Sequence, residues 1–298
     1  LPNLVSMRFR RMPPVAAWVL AALLVPVLCS AQASSAAHGS PSWARDVAGL
    51  SVNSLVGGLS AGLAQSARGG SFRDGFTRGA AGGAGVYAGK RIAVERWPGA
   101  GLLGRQVASV GASVVWNAGS GRPSLEQVAL PAGPVRFYVR TSGTGPRVQA
   151  RVDALSLAAT AYALTRPELA WDAERSLSSG TMVFLARDHS MRLAGEHAAG
   201  VAYPGTVVLG AVRATDAYSL AEYFAHERIH VIQADQMFLG VGRPLQEAAA
   251  ARVPGGRAFS RWVDVDVTAA ALAGLASLLP IQPHERPWEV EAIYMAPR

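Results

Sequence analysis

Apolar and polar positions change rhythm along this chain, and each rhythm predicts a different kind of element. Residues 15–28 are almost continuously apolar behind the basic cluster Met7-Arg8-Phe9-Arg10-Arg11. From about 43 to 121 glycine, alanine and serine crowd together, and residues 47–67 carry no charge. Within that stretch Gly58 and Gly62, Gly79 and Gly83, and Gly85 and Gly89 stand four apart, which lines small residues along one helix face and lets helices approach closely. From Leu125 the period shortens to two. Residues 135–140 and 148–152 flank Thr141-Ser142-Gly143-Thr144-Gly145-Pro146, a pattern that predicts a β-hairpin with a loop longer than two residues. Asp153 stands as the N-cap of a helix to 165, and the β-branched residues in 181–187 and 205–212 predict further strands, four in all.

Beyond them, residues 219–236 contain neither glycine nor proline and predict a helix with Asp216 at its N-cap. Residues 262–266 alternate like a strand. Residues 267–279 are apolar but short of the roughly twenty that a membrane span needs, so they predict a buried helix. Pro287 opens a terminal helix over 287–296, whose acids fall near its first turn, where the helix dipole favours them. Strands followed by helices make an α+β domain of 125–298 behind a Gly- and Ala-rich helical region at 46–124. The glycine-rich stretch 99–104 lacks the lysine of a phosphate loop.

The amino-terminal pattern of basic cluster, apolar run and Ala31-Gln32-Ala33 predicts a secretory signal peptide over 1–33, with Met7 as the natural start, and a small polar linker at 34–45. That places the protein in the periplasm or outside the cell. Cys29 is the only cysteine, so cleavage leaves no thiol for a disulfide, a nucleophile or a metal. The formal charge of +8 does not indicate nucleic acid, because no basic run is interleaved with aromatics. Lys90 is the only lysine, and the arginine, alanine and glycine bias is that of a GC-rich bacterial genome. For the Gly-rich region two readings stand: tightly packed soluble helices, or peripheral contact with a membrane.

Chemistry concentrates at His226-Glu227-Arg228-Ile229-His230. Four residues are about one helical turn, so both imidazoles project from one face at a spacing that suits one zinc ion, with Glu227 beside it. Zinc acidifies a bound water, and a carboxylate in reach can take its proton and return one to a leaving amine. The alternative is a buried helix whose histidines make ordinary hydrogen bonds.

The order of strand, short connection and HExxH helix resembles the core of the zincin metallopeptidases. The resemblance implies a small mixed or antiparallel sheet, a peptide or protein substrate, and an edge strand at 206–212 that pairs with it. A third protein ligand is required. The metzincin pattern is excluded, since Gln233 and Gln236 stand where it has glycine and histidine, which leaves a glutamate from another helix, as in gluzincins. Glu289 fits best: with Ala292 and Ala296 it forms one face of the terminal helix, similar to the Glu-x-x-Ala-Asp-x-x-Ala ligand helix of gluzincin-like families. Ile293 replaces the family acid, which implies either that Asp264 or Asp266 orients a ligand histidine instead or that the site is weaker than the family norm. Glu291 and Glu247 are the alternatives. Glu291 lies about 200° round the helix from Glu289, so only one of the two can be a ligand. Glu247 is nearer the spacing of thermolysin-like enzymes but also has Arg243 and Arg252 as ordinary partners. His189, His197 and His284 are secondary candidates, and Tyr218, Tyr223 and Tyr294 are candidate oxyanion donors among which the sequence does not choose. The function expected is an exported zinc metallopeptidase, against a non-catalytic envelope-associated protein with a structural or vestigial zinc site.

Overall fold

A computed structural model describes residues 42–143, 145, 147–187, 192–193, 196–197, 200–210, 219–268, 271 and 287–296. The signal peptide, most of the linker, Asp216, Tyr218, His189, His284 and most of 269–279 lie outside the described residues.

The small-residue faces of the N-terminal region meet one another. Helices α1 (Ser42–Ala67), α2 (Phe72–Ala93) and α3 (Ala100–Gly119) follow in sequence, so that the first helical residues were expected to be linker and are not. Side chains added at Gly79 or Gly83 would collide with the α1 backbone at Gly57 and Asn53, and one at Gly89 with α3 at Gly104 and Ala108. The contacts descend on one helix as they climb on the next, so neighbouring helices are antiparallel. Ser71 caps α2 by accepting from the Asp74 amide. The outer side of α1 keeps Trp43, Val47, Leu50 and Leu55 exposed. By length and composition α1 is apolar enough to cross a membrane, yet half of its most apolar window is buried by the rest of the chain.

The remainder is mixed, as an α+β reading requires. Strands β1 (Gln127–Ala132), β2 (Val135–Arg140) and β3 (Arg147–Asp153) are antiparallel neighbours, with Val135 opposite Val152. Helix α4 (Ala154–Leu164) starts at Asp153, whose carboxylate accepts from the Ser156 amide. Next come β4 (Leu169–Trp171), α5 (Ala173–Ser179), β5 (Met182–Ala186), β6 (Arg192–Leu193), β7 (Glu196–His197), β8 (Gly200–Tyr203) and β9 (Thr206–Leu209). These build a second sheet in the order β4-β5-β9-β8, with β5 and β9 parallel and the other pairs antiparallel, and a small β6-β7 ladder. Strand β9 was expected at the edge. It lies inside, between β5 and β8, with Thr206, Val207 and Leu209 fully buried, and among the described residues the edge strand beside the HExxH helix is β8.

That helix is α6 (Leu220–Met237). Ser219, not Asp216, is its N-cap: the Ser219 hydroxyl accepts from the Glu222 amide and the Glu222 carboxylate accepts from the Ser219 amide, a reciprocal capping box. A π-turn over Phe238–Gly242 leads to α7 (Arg243–Ala250), followed by α8 (Gly256–Phe259), β10 (Val263–Asp264), which extends the first sheet parallel to β3, and α9 (Pro287–Met295). One buried cluster joins Val86 and Trp116 of the N-terminal helices to Tyr138, Ile232, Phe238 and Leu239. Beside it, Asp235 of α6 accepts from Arg105 and Arg136, and Asp264 of β10 accepts from Arg136, Arg243 and the Tyr138 hydroxyl. Buried charges of this kind fix relative positions, because removing one partner strands the other.

Candidate metal centre

Ala225, Ile229, Val231 and Ile232 bury the flanks of α6, and the 3.6-residue repeat then turns His226 and His230 to a common side. Their rings meet edge to face with centroids 4.6 Å apart, and their Nε2 atoms are 3.0 Å apart. Helix α9 crosses this face with Ala292 fully buried against Ala225 and Ile229, and that small contact brings in a short carboxylate. Glu289 Oε2 lies 3.2 Å from His226 Nε2 and 3.3 Å from His230 Nε2. Two soft nitrogens and one carboxylate oxygen thus form a nearly equilateral triangle.

The donor set suits a small divalent cation. Tetrahedral coordination with bonds of about 2.0–2.1 Å puts neighbouring ligand atoms roughly 3.3 Å apart, close to the three separations found here. None of the three side chains is sealed off: those of His226, His230 and Glu289 are 19, 15 and 29% exposed. Burial disfavours a charge on either partner, but the Glu289 hydrogen bond and the Glu289 and Glu227 charges raise the His230 pKa to about 9. Burial likewise opposes ionisation of Glu289, and the hydrogen bonds from His226 and His230 outweigh it and hold that carboxyl well below its usual range. The two shifts together favour a proton on His230 beside an ionised Glu289, a position that a metal ion would have to take over by displacing that proton.

Glu227 is buried next to the triangle. Its carboxylate packs under Gly200 of β8, where an added Cβ would stand 2.5 Å from Oε1. Burial raises its pKa, His230 and His226 pull it back, and Glu289 pushes it up. Those surroundings favour the protonated carboxyl more than water does.

The other sequence candidates are placed elsewhere. Glu247 sits on α7 and pairs with Arg243 at 3.2 Å, the ordinary partnership that its sequence context allowed. Glu291 faces away from the triangle, as the 200° argument requires, and is buried against Lys90 Nζ at 2.8 Å. Asp264 and Asp266 do not stand behind a histidine: Asp264 is taken up by Arg136 and Arg243, and Asp266 accepts from Thr268. Tyr294 donates to Asp46 of α1 at 3.4 Å. Tyr223 falls three residues before His226 and seven before His230, on the same face of α6. For His197 the structure describes the backbone alone, in β7.

Gln233, Lys90 and Asn53 are the residues that sequence reasoning passed over. His230 Nδ1 is 2.8 Å from Gln233 Oε1, and Gln233 Nε2 donates to Glu291 Oε2 (2.8 Å) and the Trp288 carbonyl (3.1 Å). Glu291 in turn accepts from Lys90 and from Asn53 Nδ2, both at 2.9 Å on Oε1. The available signal was compositional: the only lysine of the chain, and an asparagine within the uncharged stretch 47–67 of α1. No family model, curated protein or solved structure matches this chain, so the chemistry of the site rests on its own geometry.

Proposed function

We propose that the protein is an exported zinc-dependent hydrolase, a peptidase of gluzincin-like zincin character, in which His226, His230 and Glu289 hold the metal and Glu227 moves the proton. One observation supports this above all: two Nε2 atoms and one carboxylate oxygen converge within 3.3 Å beside a buried glutamate whose pKa is raised. Three protein ligands of the N2O type are the pattern of catalytic zinc, which keeps its fourth position for water or substrate, rather than of structural zinc. Zinc held there supplies Lewis acidity, polarising a carbonyl and acidifying the attacking water.

The chain's own groups do the remaining work. Glu227 accepts the proton of the attacking water and delivers it to the leaving amine, which a carboxyl with a raised pKa can do in both directions. Strand β8 pairs with β9 on one side, and among the described residues no strand occupies the other, so an extended peptide can add there by backbone hydrogen bonds. Gly200 would bring that peptide's backbone beside Glu227. Tyr223, on the same face of α6 as His226 and His230 by helical spacing, is the tyrosine we assign as donor to the carbonyl oxygen.

Glu227→Gln tests the reading, since the substitution preserves shape and leaves the three ligands in place. The variant should keep zinc and lose hydrolysis of a peptide library by roughly 10²–10⁴-fold. A wild type that holds zinc and cleaves nothing would favour a non-catalytic envelope protein, a reading that draws its support from the exposed apolar face of α1 at Trp43, Val47, Leu50 and Leu55.

A further inference from the structure

Glu291 carries a charge that the triangle does not use, in a place where charge is costly. It is buried, and so is its partner: Lys90, the only lysine in the chain, is 1% exposed. Exchanging such a pair for apolar residues is often neutral or stabilising, so stability alone does not explain it. What the pair does provide is orientation. Lys90 bonds both Glu291 oxygens and Asn53 Oδ1, while Asn53 Nδ2 bonds Glu291 Oε1 and the Gly49 carbonyl. Glu291 is thereby an acceptor with a fixed position, 201 residues from the lysine that fixes it.

The next link is directional. Glu291 Oε2 and the Trp288 carbonyl are both acceptors, so the Gln233 amide must present its NH2 group to them. Its Oε1 then faces His230 Nδ1 at 2.8 Å and can only accept. His230 must carry a proton on Nδ1, which leaves Nε2 as the nitrogen with a lone pair when the ring is neutral. The alternative tautomer would aim a proton at His226 and Glu289.

We infer that the N-terminal helical pair is part of the metal centre: Lys90 of α2 and Asn53 of α1 fix Glu291, Glu291 fixes Gln233, and Gln233 holds His230 with Nε2 free towards His226 and Glu289. The same contact seats α9, the helix that brings Glu289, so ligand geometry on both helices depends on the glycine-rich half. Close packing of α1 on α2 at Gly79 and Gly83 aligns Asn53 with Lys90. These four are positioning residues, and Gln233 is the one that touches the ligand histidine. The inference rests on the triangle being a metal site, but its last link, from Gln233 to His230, can be read without metal.

The test uses the full chain, stripped of metal by chelation. In ¹⁵N-edited spectra of the apo protein, wild type should show a hydrogen-bonded His230 Nδ1–H protected from exchange, and Gln233→Met should lose it. Titration with Zn²⁺ against a chromophoric chelator should show a Kd raised roughly 10–100-fold in Gln233→Met and raised in the same direction in Lys90→Met. Should Lys90→Met fail to fold, Asn53→Leu removes one bond to Glu291 without stranding a charge and should also weaken zinc binding. The exchange Gln233→Glu with Glu291→Gln keeps an acceptor for His230 and a donor behind it, and should bind zinc more tightly than Gln233→Glu alone. A protected Nδ1–H in Gln233→Met, or wild-type Kd in every folded variant, overturns the inference while leaving the metal site standing. A wild type that takes up no zinc overturns the metal reading instead, and the Nδ1–H resonance still decides whether Gln233 orients His230.

Discussion

Glu289 and Glu291, two residues apart on one short helix, serve opposite sides of it: Glu289 reaches His226 Nε2 at 3.2 Å, and Glu291 is buried against Lys90 at 2.8 Å. The contrast separates two acids that look alike in sequence and gives them different failure modes. Glu291→Ala leaves Lys90 buried without its counter-charge and should lower stability by about 3–5 kcal/mol. Glu247→Ala breaks only a partly exposed pair with Arg243 and should cost about 1 kcal/mol or less. Urea unfolding of the two variants checks the difference, and equal losses would mean that Glu291 is not held as described.

At Gly200 of β8 any added side chain meets the proposed proton carrier. Because a Cβ there would lie 2.5 Å from Glu227 Oε1 and 2.7 Å from its Cγ, Gly200→Ala must push the carboxylate aside or lift β8. Peptide hydrolysis should fall at least tenfold, a shift of about 1.4 kcal/mol in the barrier, while zinc content stays at the wild-type level. Comparing kcat with bound metal in the same preparation tests this, and unchanged kcat would place the carboxylate's working position elsewhere.

Asp266 gives the stability a pH dependence that is independent of the metal site. Burial raises its pKa to about 7, with Arg136 and the Thr268 hydroxyl opposing and Asp153 and Asp235 adding to the shift. A folded pKa above the unfolded one means that the folded state binds the extra proton. This contribution is therefore complete below about pH 3.8 and is lost as pH rises through about 7. Asp266→Asn should remove that decline, matching wild type near pH 4 and exceeding it by roughly 1–3 kcal/mol at pH 8. Denaturation of the two proteins across that range measures it, and parallel curves would contradict the shift.

What could be read from the sequence was set by distance along the chain. His226 and His230 share a face because of local helical geometry, and the small face of Glu289, Ala292 and Ala296 already marked the helix that approaches them. Hairpin β2-β3 and the Asp153 cap were equally local. The edge strand was misplaced because only pairing decides it: β8 and β9 are both four residues long and mostly apolar, and β9 becomes interior through its ladder with β5. Lys90, Asn53 and Gln233 went unread for the same reason. Each looks like an isolated polar residue until helices from opposite ends of the chain bring them to one carboxylate.

Metal content of the purified chain tests the central claim most directly. Wild type should bind one zinc per chain, and His230→Ala and Glu289→Ala should each lose it, while Glu247→Ala and Glu227→Gln retain it. Wild type with no more zinc than a His226→Ala, His230→Ala double variant, or zinc lost with Glu247 rather than Glu289, would contradict the account.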